Sequence, residues 1–253
     1  MFYIILIIVN LIVIYLLKRK DIKKALYKKK IPEISIEDIH PIFKTRDGKF
    51  KFPTKKYVTN FFVIPDDYNV IGMTSDKEAW ILTMLSKISS KIFEFGTCSG
   101  KTSYLMALNS PENTSITTLT LKPDSEVSKS NNESKSAHRN IASESIYEEF
   151  MFSNTEVENK VDVRFINSLE FDENEFLGKC DLIFIDGGHT YSIVKSDTEK
   201  AFKMLSPNGF IFWHDYVPGK KSSADVFKYV NELSQNKKIY SVKGTSLAYY
   251  QNG

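Results

Sequence analysis

The chain has 253 residues, 42% hydrophobic and 26% charged, the balance of a globular protein able to build one sizeable core. Its net charge of +3 is uneven: residues 18–30 set eight Lys or Arg against Asp21, a local +7, so residues 31–253 carry −4. That excludes a basic nucleic-acid surface on the main body, and Cys98 and Cys180 stand too far apart for a metal or redox pair.

Residues 2–17, FYIILIIVNLIVIYLL, are apolar except for Asn10 and the tyrosine hydroxyls. As a helix such a run rises ~24 Å against a ~30 Å hydrocarbon core, and Lys18 and Arg19 can snorkel. No basic residue precedes the run and no small-x-small site follows it, which argues against a signal peptide. The expectation is a single-pass membrane anchor over residues 1–30, with the basic cluster along anionic headgroups and the rest in the cytoplasm. Residues 31–68 hold Pro32, Pro41, Pro53 and Pro65 without a sustained period and form an irregular lead-in. The main domain is expected over 69–253.

Within it, Ser75-Asp-Lys-Glu78 fits a capping box, and Trp80, Ile81, Met84, Leu85 and Ile88 share one helical face. Ile92 to Phe95 predicts a strand that breaks at Gly96 and Gly100 and passes into a helix carrying Tyr104, Leu105, Ala107 and Leu108. Residues 115–121 alternate as a second strand. Residues 124–140 are polar enough for a mobile loop, and a short helix is expected over 141–152. Val161 to Ile166 and Asp181 to Ile185 predict the third and fourth strands. A helix with Ile193, Val194, Ala201, Met204 and Leu205 inward comes next, then a turn at Pro207-Asn-Gly209 and a fifth strand, Phe210 to Trp213. Val226, Phe227, Val230 and Leu233 mark a last helix, and 238–242 with 246–250 form a closing antiparallel pair. Strands alternating with helices predict a doubly wound, Rossmann-like, mostly parallel sheet of seven strands.

Five strand ends carry polar groups: Glu94 to Gly100, Thr120 to Asp124, Asn167-Ser168, Asp186 to His189 and His214-Asp215. In a parallel sheet all five fall at one edge, where ligands bind. A dinucleotide fingerprint would need a glycine at Cys98. The running pattern resembles instead the class I S-adenosylmethionine (SAM) dependent methyltransferase family. It comprises Phe93-Glu-Phe-Gly-Thr-Cys-Ser-Gly-Lys-Thr102, Thr118-Leu-Thr-Leu-Lys-Pro123, Ile166-Asn-Ser168, Asp181 to Tyr191, Gly209 to Tyr216 and Gly244-Thr-Ser-Leu-Ala248. The closest likeness is to a bacterial branch with D-G-x-H-x-Y and H-D-Y motifs.

The resemblance implies that Gly96, Thr97, Cys98, Ser99, Gly100 and Thr102 line the methionine part of SAM. Glu94 would hold its amino group, Asn167 and Ser168 would face adenine, and Asp186 would lie beside the cofactor. Thr120 stands where the family carries an acid for the ribose hydroxyls. Asp186 and Asp215 hold the places at which metal-dependent O-methyltransferases of this fold bind Mg²⁺. His214 is expected as a general base near neutral pH, and His189 as a participant or a loop pin. The implied activity is O-methylation of a small-molecule, sugar or lipid-linked hydroxyl. Two other readings are a membrane-tethered SAM-fold binding module and a metal-dependent oxygenase of the cephalosporin hydroxylase-like type.

Overall fold

The computed structural model describes residues 8–10, 12–15, 18, 31–44, 59, 74–123 and 145–253. The strands are β1 (Glu33–Ile34), β2 (Lys91–Phe95), β3 (Ser115–Thr120), β4 (Val161–Phe165), β5 (Cys180–Ile185), β6 (Leu205–Trp213), β7 (Tyr240–Val242) and β8 (Ala248–Gln251). They form one eight-stranded sheet in the order β1-β7-β8-β6-β5-β2-β3-β4. All neighbours run parallel except β8, which is antiparallel to both β6 and β7. The expected seven strands become eight because Glu33–Ile34, within the supposedly irregular lead-in, pairs with β7.

Four helices cover the faces: α1 (Asp76–Ser86), α2 (Lys101–Asn109), α3 (Tyr191–Met204) and α4 (Ala224–Leu233). Strand residues alternate between two cores, as the pleat requires. Phe93, Phe95, Ile183, Ile185, Ile211 and Trp213 face α3 and α4. Ile92, Ile116, Leu182, Phe184, Phe210 and Phe212 face α1 and α2, together with Ile42 and Phe43 from the lead-in. Ser75 and Glu78 form the expected capping box on α1. Ile88 lies beyond the helix end and is 47% exposed, so it leaves the predicted apolar face. Pro207-Asn-Gly209 sits inside β6: Asn208 takes φ +61°, and the register jumps between Cys180↔Leu205 and Leu182↔Phe210. This is a bulge, not a turn between elements.

From β2 the chain builds β3 and β4 to one side, then crosses to place β5 on the other side of β2. The strand order therefore reverses between β2 and β5, and their carboxyl ends flank a crevice.

The expected helix over 141–152 is not formed in its described part, 145–152. The expected mobile loop 124–140, and Asp124 with it, lies outside the described residues. The membrane anchor is also overturned. Residues 8–10, 12–15 and 18 are helical, but among the described residues no helix is long and apolar enough to cross a membrane. The cytoplasmic placement argued from an anchor falls with it.

Candidate active site

The loop after β2 is built of left-handed steps: Gly96 at φ +100°, Cys98 at +46° and Gly100 at +79°. Leu119 O of β3 accepts from the N–H groups of both Gly96 and Thr97, at 3.1 and 3.0 Å. Thr97 Oγ1 lies 2.8 Å from Thr118 Oγ1, and Ser99 O accepts from Met151 N at 2.9 Å. Thr97 and Ser99 are buried, so they pin the loop; Cys98 is half-buried. Both glycines are required by protein packing. A Cβ on Gly96 would lie 2.2 Å from Asp186 O, and one on Gly100 2.7 Å from the Phe152 ring. Gly100 also opens α2 without a side-chain cap, leaving its first turn open to an anion. Thr102 lies nearby in that turn, 3.5 Å from Thr74 Oγ1.

Glu94 is buried in β2, 1% exposed. Its Oε2 accepts from Ser103 Oγ at 2.5 Å and from Thr118 Oγ1 at 2.7 Å. Burial pushes its carboxyl up to about 8 against those two bonds, with the Asp186 charge adding to the rise. Asp197 of α3 is fully buried beneath Gly187, with the Ser168 hydroxyl and the Lys200 charge set against its burial. Burial pushes it up to about 7. A raised folded-state pKa gives stability that is complete below the unfolded pKa and lost as pH rises through the folded one. Both acids therefore predict a fall in stability between about pH 5 and pH 8. In Glu94→Gln, thermal melts should show a shallower fall, since an amide oxygen still accepts from Ser103 and Thr118. Parallel melting-temperature curves for variant and wild type would show that Glu94 does not titrate in this range.

Beyond β5 and β6 lies a charge network. His214 Nδ1 is 2.8 Å from Asp186 Oδ1 and 3.9 Å from Asp215 Oδ1, and its Nε2 is 3.5 Å from Glu78 Oε2. Burial opposes a charged imidazole here, yet Asp186, Glu78 and Asp215 together lift His214 to about 11. Glu78 also accepts from Ser246 N and Oγ, both at 2.6 Å, and from Ser75 N and Oγ at 2.9 and 2.7 Å. Burial raises the Glu78 carboxyl, but the bonds from His214, Ser246 and Ser75 outweigh it and hold the group well below the usual range.

Two expectations meet this network. Both ring nitrogens of His214 face carboxylates, Nδ1 toward Asp186 and Nε2 toward Glu78, so neither is turned to an acceptor. The position a cation would take between Asp186 and Asp215 is held by His214, while Asp215 also accepts from Lys220 Nζ at 2.7 Å. Among the described residues no three His, Cys, Asp or Glu side chains gather as a metal site. The expected Mg²⁺ has no open place between these acids. Continued strand geometry would send His214 and Asp215 to opposite faces. Asp215 instead takes φ +58° and turns back toward its neighbour.

His189 Nε2 lies 3.5 Å from Asp215 Oδ2. Among the described residues its Nδ1 has no partner, and the side chain keeps 16% exposure. Thr120 ends β3 with its hydroxyl 3.4 Å from Leu121 O. Asn167 Oδ1 caps Leu169 N at 3.1 Å, and Lys200 Nζ donates to Ser168 O. These three sit at neighbouring strand ends but are not bonded to the His214 network. Glu78, Ser246 and Lys220 are additions to the predicted set. The Ser75–Glu78 capping box was visible; Ser246, 168 positions on, had no local signal tying it to Glu78.

Residues 93–216 match the model of a family described as a methyltransferase domain. No curated protein matches the chain significantly. The fold is shared with the O-methyltransferase TomG from Streptomyces achromogenes, involved in tomaymycin synthesis and solved with SAM. That protein is 16% identical over 72% of this chain and 82% of its own, with a TM-score of 0.50. The Podospora anserina methyltransferase PaMTH1, solved with S-adenosylhomocysteine (SAH), is 14% identical over 72% and 80%, with a TM-score of 0.52. At these identities the likeness is one of fold.

Proposed function

We propose that this chain transfers a methyl group from SAM to a hydroxyl of a small-molecule or glycan acceptor. The observation that carries the reading is a histidine–carboxylate pair, His189 with Asp215, at the carboxyl edge of the sheet, where the loops after β2 and β5 meet. The match of residues 93–216 to a methyltransferase domain supports the same reading.

The residues fit SAM in two respects. The uncapped start of α2 suits a carboxylate, and Asp186, held in place by His214, offers negative charge at the crevice. When bound, the cofactor supplies a methyl group already activated on a sulfonium. The chain then has to position the acceptor and remove its proton. His189 Nδ1 takes that proton, Asp215 stabilises the imidazolium that results, and Lys220 fixes Asp215. His214 joins the end of β5 to α1 through Asp186 and Glu78.

Calorimetric titration with SAH, with NAD as control, tests the cofactor. Thr120→Asp should tighten SAH binding by ~1 kcal/mol through one charged hydrogen bond to a ribose hydroxyl. Heat with NAD and none with SAH would overturn the reading. A binding module without transfer is favoured by one observation, the hydroxyl of Thr120 where the resemblance leads one to expect an acid. Methyl transfer to any acceptor would dismiss it.

A further inference from the structure

Strand β4 ends the sheet, and among the described residues nothing pairs with its outer side. Ile166 N donates to Thr120 O at 2.9 Å, so the even-numbered residues of this strand turn their backbone groups toward β3. The outward groups are therefore the N–H and C=O of Val163 and Phe165 and the C=O of Val161, whose N–H bonds Glu158 O instead, a row that invites another strand. On one face of the same strand Asp162 and Arg164 alternate, joined at 2.8 Å and 56% and 31% exposed. Phe165, on the opposite face, is 39% exposed, and Leu169 beyond the strand 43%.

We propose that two copies of the chain join through this edge, β4 pairing antiparallel with itself about a two-fold axis at Val163. The sequence of the strand selects that register. Centred on Val163, the two copies of Val163 exchange N–H and C=O bonds, and Val161 lies opposite the partner's Phe165, accepting from its N–H through its own C=O. Asp162 then lies opposite the partner's Arg164 in a non-hydrogen-bonded pair, where side chains approach most closely. Centring on Asp162 would set two aspartates face to face, and centring on Arg164 two arginines, which is unfavourable in either case. Odd offsets would oppose outward with inward backbone groups. Of the registers centred on Asp162, Val163 and Arg164, the one at Val163 satisfies both the backbone and the charges. Arg164 already binds Asp162 and Glu175, and its remaining donors can take the partner's carboxylate. The result is one continuous sheet of doubled width, with the two candidate sites opening at opposite ends.

Sedimentation equilibrium on the full chain tests this. The wild type should be a dimer. Asp162→Arg and Arg164→Asp should each sediment as a monomer, and the exchanged pair, Asp162→Arg with Arg164→Asp, should regain the dimer. Val163→Pro is the check on folding, because its lost N–H faces outward and the domain should melt as the wild type does while remaining monomeric. A monomeric wild type would overturn the proposal. So would a dimer that persists in both single charge variants or in Val163→Pro.

Discussion

His189→Ala is expected to lower methyl transfer by roughly 10²–10⁴-fold, the usual worth of a positioned base, while SAH binding is retained. Of the two histidines, only His189 presents a ring nitrogen without a partner among the described residues. Its other nitrogen points at Asp215, which Lys220 fixes from the opposite side. Removing that support in Asp215→Asn should cost less than removing the ring. Added chelator should leave turnover unchanged, because His214 holds the place between the two acids. His214→Ala should act differently: Asp186 and Glu78 lose a shared cation, so the main loss is in stability. Single-turnover rates for the three variants decide the matter. Full activity of His189→Ala alongside an inactive but folded His214→Ala would return the base to His214.

Gly96→Ala is expected to lower the melting temperature sharply. Its Cβ would meet Asp186 O at 2.2 Å, Asp186 C at 2.7 Å and Gly187 Cα at 2.9 Å, all backbone atoms that no rotamer change can move aside. Overpacking costs about 1–3 kcal/mol, and the left-handed φ adds about 1–2 kcal/mol for an L-residue. Together these consume much of a stability of about 5–15 kcal/mol. Gly178→Ala is the control, with φ +66° and nothing within 4 Å of the added carbon. It should lose only the backbone part. If Gly96→Ala melts no lower than Gly178→Ala, the two loops do not pack as described.

The strands and their order of appearance could be read from the chain because apolar period and turn residues are local signals. Phe93, Phe95, Ile183 and Ile185 announce a strand wherever they are placed. The site was legible as strand ends but not as chemistry. Nothing in the dipeptide His214-Asp215 tells that the first residue is charged and the second left-handed. Those properties come from Glu78, Asp186 and Lys220, which only the fold brings near. Gly96 and Gly100 were singled out as ligand cradles; the atoms that a Cβ on either would meet are the chain's own. The seven-strand count missed Glu33–Ile34 because two residues carry no period. The apolar run at 2–17 showed the converse, a strong local signal for a span that the described helix does not bear out.

The pairing of β1 sets an order of events during synthesis. Among the described residues its one sheet neighbour is β7, which lies between it and β8. At translation speeds of about 5–20 residues per second, roughly ten seconds or more separate the emergence of the two. Until then Glu33–Ile34 has no strand to join, and Glu78 has no Ser246. A nascent chain can assemble β2 to β6 and still lack both. A chain cut short before residue 240 would therefore reach the solvent with β6 as a bare edge, and with a buried acid of α1 stripped of two of its donors.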